Sequence, residues 1–499
     1  MKKIVITILC TFFLGIWACS SDSGTEPVKS VDKTLKVDLN SIDFLSSGNA
    51  VNLTLTSTVD LWIMSSSDSS WIQLSKSSGD SGSFTIVITA SANTASTPRT
   101  AIITVNSSQA TAVKITINQP AASLTPVSLY PSYNTNPIAA DATGMSSTAV
   151  QLSANMKLGW NIGNTLEATG GETAWGNPKI TKALIDLVKA NGFNAIRIPC
   201  SWNQNMANPT TAEIKSDWIA RVKEVVHYCT ANNMYVILNI HWDGGWLEEN
   251  CTEAKKEVNN AKQKAFWEQI ATSFRDFDEH LLFASANEPN VDNATQMAVL
   301  NSYHQTFIDA VRSTGGKNAY RTLVVQGPAT DIDKTNKLML TLPTDKVVNR
   351  MMVEVHYYGP WNFAGLTKDE TWGKMFYYWG ANYHSTTDTG RNASFGEEAD
   401  LDKLFKSMKT QFIDKGIPVV LGEFGAIRRT TLTGDDLTKH LDSRAYYLKY
   451  VVQQAKVNSL IPFYWDEGSL GNNGFGIFNR TNTTIFDTQA LTALQDGLK

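Results

Sequence analysis

The run Leu282-Phe283-Ala284-Ser285-Ala286, closed by Asn287-Glu288-Pro289, decides how the larger part of this chain folds. It is short, and its small and apolar residues stand at successive positions rather than alternate ones. A strand with one wet face alternates with period two. A run without polar alternation is a strand covered on both faces, as in a parallel sheet flanked by helices. The same kind of run recurs at Leu158–Ile162, Ala195–Ile198, Tyr235–Ile240, Thr322–Gln326, Val347–Val355, Pro418–Leu421 and Ile461–Tyr464. Between runs the period becomes helical: Ile180, Leu184, Leu187 and Val188 share a face, and Asn191-Gly192 ends it. Strand and helix alternating eight times predict an α/β fold, a (β/α)8 TIM barrel with long loops over residues 147–499. A doubly wound sheet would need a Gly-rich phosphate turn after its first strand, and Gly159-Trp160-Asn161-Ile162-Gly163-Asn164 lacks the third glycine.

A barrel of this kind places its chemistry where the C-terminal ends of the strands meet the following loops. The groups just beyond the apolar runs are Arg197, His241, Asn287-Glu288, His356 with Tyr358, Glu423 and Trp465. Two of them are carboxylates, at the ends of the fourth and seventh strands, which lie across the barrel mouth from one another. Paired carboxylates are what cleavage of a glycosidic bond requires. One protonates the leaving oxygen, and the other attacks the sugar or activates water. Long Glu side chains reaching inward favour the short separation, about 5–5.5 Å, of a retaining mechanism. Either Glu alone reads equally well as an ordinary loop carboxylate; the pair in these contexts does not.

With those residues in place, the segment from Ser147 to Lys499 resembles glycoside hydrolase family 5. Gly159-Trp160-Asn161-Ile162-Gly163-Asn164-Thr165-Leu166 is similar to the opening of its subfamily 4. Asn287-Glu288-Pro289 is similar to the family's acid/base motif, and Gly422-Glu423-Phe424-Gly425 to its nucleophile motif. The resemblance implies Glu288 as acid/base and Glu423 as nucleophile, with Arg197 and Tyr358 at the positions that keep the nucleophile ionised. Glu288 must hold its proton until the leaving group takes it, so a low-dielectric setting near a carboxylate should raise its pKa. The resemblance further implies that Asn287 bonds the sugar 2-hydroxyl. His241 and His356 are then hydrogen-bonding histidines, Trp465 floors the sugar before the cleaved bond, and Asn164 supports substrate binding. The sequence departs from the family's common pattern at Trp242, where a second His is frequent, and at Glu467, where Asn is. The implied activity is a retaining endo-β-1,4-glucanase on cellulose, mixed-linkage β-glucan or xyloglucan. Endo-β-mannanase is the alternative within the class, and a degenerate, non-catalytic glycan-binding barrel the alternative outside it. No motif calls for a metal or organic cofactor.

The front of the chain is built differently. Lys2 and Lys3 precede an apolar run from Ile4 to Trp17, too short to span a bilayer permanently, and then Ala18-Cys19-Ser20. This resembles a bacterial lipoprotein signal over 1–18, with lipid on Cys19, an exported protein anchored to the outer membrane, and a tether over 19–36. Ordinary cleavage nearby is the alternative. From there the period is two: Val51, Leu53 and Leu55, then Phe84, Ile86 and Ile88, then Val113, Ile115 and Ile117 alternate with polar residues. An antiparallel β-sandwich over 37–118 is expected. Ser70-Trp71-Ile72-Gln73-Leu74 and Pro98-Arg99-Thr100-Ala101-Ile102-Ile103-Thr104-Val105 resemble the immunoglobulin-like BACON domain, where Trp62 and Trp71 serve as core or, less simply, as a sugar platform. Pro120, Pro126, Pro131 and Pro137 mark a linker over 119–146. Cys200, Cys229 and Cys251 form no disulfide framework or metal motif and read as buried thiols. A net charge of −4 gives no field to attract nucleic acid, and a monomer acting on a polysaccharide is expected. Trp175, Trp202, Trp242, Trp246 and Trp361 fall in or near loops, where stacking on sugars and core packing compete, and Phe376-Tyr377-Tyr378-Trp379 reads as a packed, helical stretch.

Overall fold

The computed structural model describes residues 32–121 and 129–499; the proposed signal segment and Cys19 lie outside the described residues. The chain divides into two compact units, one ending at Pro126 and the other beginning at Val127. In the first, a four-stranded sheet (Leu35–Val37, Asn49–Ser57, Gly82–Ala90, Ile72–Leu74) and a five-stranded one (Ser41–Asp43, Ala110–Gln119, Arg99–Ser107, Trp62–Ser66, Ser78–Gly79) close on one core. The period-two residues supply it: Leu53, Leu55, Ile86, Ile88, Ile115 and Ile117 are buried while their neighbours face water. Trp62 and Trp71 belong to this core; Trp62 donates through Nε1 to the Asp80 carbonyl at 3.0 Å, and Trp71 lies 4.3 Å beneath the Arg99 guanidinium. One pairing departs from the antiparallel expectation, since Ser41–Asp43 runs parallel to Thr116–Asn118.

The second unit is a closed barrel of eight parallel strands. They are β1 (Gly159–Ile162), β2 (Ala195–Ile198), β3 (Tyr235–Asn239), β4 (Leu281–Ala284), β5 (Leu323–Gln326), β6 (Met351–Tyr357), β7 (Val419–Phe424) and β8 (Leu460–Asp466). Each is followed by a helix: α1 (Lys182–Ala190), α2 (Ser216–Thr230), α3 (Glu253–Phe274), α4 (Ala294–Ser313), α5 (Ile332–Leu338), α6 (Glu398–Gln411), α7 (Gly434–Val457) and α8 (Thr488–Gly497). Inward residues Ala195, Ile237, Leu282, Ala284, Val324, Met352, Val420, Ile461 and Phe463 fill the lumen. The short helix Ala149–Asn155, capped by Thr148, stoppers one end with Ala149, Leu152 and Met156. Gly159 is glycine because the Phe463 ring occupies the place of its side chain: a Cβ there would stand 2.1 Å from that ring. Outward residues such as Ile196, Ile198, Val236 and Leu238 join the larger core beneath the helices.

Three expectations change on contact with the structure. The sixth strand starts at Met351 rather than Val347: Asn349 takes a left-handed turn (φ 61°) and Val348 is 76% exposed, so the apolar stretch before it is loop. The stretch 129–146 is not a free linker but lies on the barrel unit. Ser132 Oγ and the Tyr133 amide donate to Glu268 Oε2 at 3.0 and 2.6 Å, and Ile138–Ala140 pairs with Gly315–Gly316. Phe376–Trp379 is packed as expected but is not helical; the Trp379 amide donates to Ser443 Oγ at 2.7 Å and its indole to the Gly396 carbonyl at 2.8 Å. Cys200, Cys229 and Cys251 are buried free thiols. Among the described residues no helix is long and apolar enough to cross a membrane.

Candidate active site

At the C-terminal mouth of the barrel the last strands run further than their apolar runs implied. His356 lies within β6, Glu423 within β7 and Trp465 within β8. The pairing of β6 with β7 shifts register between Val355 and His356, and that of β7 with β8 between Leu421 and Phe424. Such irregularities re-aim side chains, and these flank the two groups that must point into the mouth.

Arg197, on β2, is the centre of the cluster and has no solvent exposure. Its Nη1 donates to Glu423 Oε1 at 2.7 Å and to Asn161 Oδ1 at 3.0 Å, and Nη2 donates to Asn287 Oδ1 at 2.6 Å. Its Nε stands 2.8 Å from Glu354 Oε1. Tyr358 donates its hydroxyl to Glu423 Oε2 at 2.9 Å, so each oxygen of Glu423 meets a donor. Because Arg197 takes the Asn287 carbonyl, that amide is fixed with Nδ2 as its donating end. His356 bridges the carboxylates: Nδ1 is 2.7 Å from Glu288 Oε1 and 3.8 Å from Glu423 Oε2, and Nε2 is 3.2 Å from Glu354 Oε1. Glu288, with a side chain 43% exposed, opens to the cleft, while its amide donates to Glu248 Oε1 at 2.7 Å.

The electrostatics follow from this crowding. Burial works against a charged His356, but Glu423, Glu288 and Glu354 outweigh it and push its pKa up to about 9. Burial likewise works against Glu354, yet Arg197 and His356 hold it below the usual carboxylate range. Burial raises Glu423, with His356, Arg197 and Tyr358 opposing. Glu288 is lowered: desolvation pushes it up, but the His356 hydrogen bond and charge prevail. The expectation that Glu288 is raised in the free protein is therefore not met. A cationic His356 bonded to Glu288 decides it, and its bridging position is invisible along the sequence.

The remaining expected residues sit around this cluster. His241 accepts from Asn239 Nδ2 through Nδ1 at 3.2 Å, which leaves its proton on Nε2. Burial, with Arg197 and His356 nearby, holds it well below the usual imidazole range, hence neutral. Its ring lies parallel to Trp465, 6.0 Å between centroids and 6° between planes. The Trp465 indole lies against Gly163, where a Cβ would be 2.9 Å from the ring. Asn164 takes a left-handed conformation (φ 57°), which Asn tolerates, its amide donating to Glu167 Oε1 and its carbonyl accepting from Asn177 Nδ2 at 2.9 Å. Glu467 accepts the Phe475 amide at 2.9 and 3.0 Å and thus braces the loop after β8. Trp202 and Trp246 are core, whereas Trp175, Trp242 and Trp361 are 46%, 41% and 49% exposed.

Glu354 was not among the residues expected at the site, though a signal existed. A carboxylate inside Met352-Val353-Glu354-Val355 is a charge in an otherwise apolar buried strand, and such a charge must be paired. Gly422 makes room for it, since a Cβ there would stand 2.0 Å from Glu354 Oε1. Oxygen or nitrogen atoms of Glu288, His356 and Glu423 lie within 4.8 Å of one another, a spacing a cation could bridge. Here those atoms already meet protein donors and one another, and Arg197 supplies the positive charge.

A TIM barrel with two carboxylates facing across its mouth, one clamped by Arg and Tyr and the other open to the cleft, defines a glycoside hydrolase. Residues 161–471 match the cellulase family, glycosyl hydrolase family 5, and residues 61–120 match BACON, a putative N-terminal binding domain. The chain is 38% identical over 454 residues to a xyloglucan-specific endo-β-1,4-glucanase of Bacteroides ovatus, covering 88% of this chain and 86% of that one. Among solved structures, a Bacteroides ovatus family 5 xyloglucanase in complex with a XXXG heptasaccharide superposes with a TM-score of 0.69 at 36% identity, covering 93% of this chain and 99% of that one. A broad-specificity subfamily 4 endoglucanase from Ruminococcus champanellensis with bound cellotriose gives 0.59 at 35% identity, covering 70% and 98%. The chain belongs to glycoside hydrolase family 5, as an endoglucanase preceded by a BACON domain.

Proposed function

We propose that this enzyme hydrolyses β-1,4-glucan backbones by double displacement with retention, Glu423 attacking and Glu288 serving as acid and then base. The observation that carries the reading is the geometry of the pair: an oxygen of Glu288 and one of Glu423 lie within 4.8 Å. That is in keeping with the roughly 5–5.5 Å of retaining pairs and short of the about 6.5–9.5 Å that inverting pairs keep so that a water fits beside the sugar. Glu423, its oxygens oriented by Arg197 and Tyr358, attacks the anomeric carbon and expels the aglycone oxygen. Glu288 protonates that oxygen. In the free enzyme the proton nearest to Glu288 is on His356 Nδ1, 2.7 Å away. A sugar chain entering the cleft strips water from the half-exposed Glu288 and so favours its neutral form, and the proton passes from Nδ1 to Oε1. Once the glycosyl ester has formed, Glu288 takes a proton from water, which attacks the same carbon from the face the aglycone left. Trp465 floors the glycone sugar, and Asn287 Nδ2 donates to its 2-hydroxyl.

Xyloglucan is the substrate we favour within the class, on the strength of the likeness to the Bacteroides ovatus xyloglucanase across both domains. We also propose export and lipidation at Cys19, which the signal-like Ile4–Ala18 segment supports; a Cys19→Ala variant that still partitions with membranes would refute it. For the catalytic reading, proton NMR of early product should show the β-anomer first. Initial α-product would mean inversion, and turnover of mannan in preference to xyloglucan or mixed-linkage glucan would mean a different backbone.

A further inference from the structure

Between β6 and α6 the chain makes an excursion that the barrel does not need, and it is tied down at several points. Arg391 pairs with both Asp369 oxygens at 2.5 and 3.0 Å, and its guanidinium lies 4.9 Å over the Tyr377 ring. His384 bonds Glu397 at 2.8 Å. On this framework a tight turn, Glu370–Gly373, closed by amide–carbonyl bonds of 2.9 and 3.2 Å, projects Trp372, which is 63% exposed. Phe395, 54% exposed, rests edge-on against Phe376 with centroids 5.3 Å apart. These two rings and Trp361 surround one open hollow of about 630 Å³ whose polar lining includes Lys374, Thr389, Asn392 and Ser394. Three large aromatics each about half in water or more around one hollow are poorly explained as core, and rigid amphipathic rings beside polar groups are what a sugar face stacks on.

The hollow adjoins the reaction site, with Trp361 as the wall it shares with the pocket that holds Glu288, His356 and Tyr358. Its indole is seated against Gly365, where a Cβ would stand 2.2 Å from the ring. The direction follows from the roles above: Glu288 faces the leaving oxygen, and it opens toward β5 and β6, away from the Trp465 floor on β8. We propose that Trp372 and Phe395, reached past Trp361, form a distal platform for β-glucan sugars on the leaving-group side of the cleaved bond. This rests on the assignment of Glu288 as the acid.

The test compares two substrates. Soluble xyloglucan has sugars on both sides of the cleaved bond, whereas a nitrophenyl β-cellotrioside has none beyond it. Trp372→Ala with Phe395→Ala should lower kcat/KM on xyloglucan roughly tenfold, mainly through KM, a loss in the range of one or two aromatic contacts. The aryl substrate should be cleaved within about twofold of the parent enzyme, and Trp372→Phe should recover most of the loss on polymer. Unchanged polymer kinetics would overturn the platform, as would equal losses on both substrates, which would signal a damaged site. A parent enzyme that cleaves neither substrate would instead overturn the catalytic reading beneath it.

Discussion

Arg197 and Glu354 form an ion pair without solvent contact, Nε to Oε1 at 2.8 Å, and that pair holds one guanidinium in place at a fully buried position. With Nε facing Glu354, both Nη atoms are free to hold Glu423, Asn161 and Asn287. Breaking a buried pair strands a charge, so Glu354→Ala should cost about 3–5 kcal/mol of stability. Thermal unfolding with turnover checks this; a variant as stable and active as the parent would remove Glu354 from the site.

Glu423→Ala should lower kcat by roughly 10⁴-fold or more, and the fold should survive because Glu354 remains as the counter-charge of Arg197. A fluorinated glycoside that traps the glycosyl-enzyme should label Glu423, identified by peptide mass. Label on another residue would reassign the nucleophile.

Glu288→Ala should fail in proportion to how much the leaving group needs a proton. Xyloglucan turnover should fall about 10²–10⁴-fold, whereas an activated aryl glycoside should still form the intermediate and azide should speed its release. If azide has no effect and both substrates are lost alike, another group is the acid.

His356 should set the alkaline limit of activity. Its folded pKa is raised from 6.5 to about 9, so the stability its charge contributes is fully present below 6.5 and is lost as pH rises through about 9. Above that value the cation joining Glu288, Glu354 and Glu423 is gone. The kcat/KM profile should fall with an apparent pKa near 9, and His356→Asn should abolish that limb while lowering activity at neutral pH. A limb unmoved by the substitution would assign it elsewhere.

The start of the barrel unit can be measured by truncation. A fragment from residue 129 keeps the bonds of Ser132 and Tyr133 to buried Glu268 and the pairing of Ile138–Ala140, and one from Ser147 loses them. Both should retain kcat on soluble glucan, but the shorter should melt roughly 3–8 °C lower, as expected for donors removed from a buried carboxylate. Equal melting temperatures would make 129–146 a passive linker after all.

What the sequence by itself determined is what local periodicity and strand-end chemistry encode. Short non-alternating runs such as Leu282–Ala286, recurring between helical stretches, read as strands covered on both faces, and period two around Leu53 and Ile86 reads as half-buried. Arg197, Glu288 and Glu423 stand at strand ends because barrels place polar groups there, so the paired carboxylates were legible before any fold was drawn. Tertiary structure decided whatever depends on atoms far apart in the chain. It put His356 between Glu288, Glu354 and Glu423 and so held Glu288 below the usual carboxylate range where a raised value was expected. It brought Glu354 beneath Arg197 through the gap left by Gly422, and it bound the Pro-rich stretch 129–146 to Glu268. It also sorted the tryptophans, burying Trp202 and Trp246 and leaving Trp361 and Trp372 in the water. Burial and charge pairing are sums over neighbours in space, and a sequence lists neighbours along the chain only.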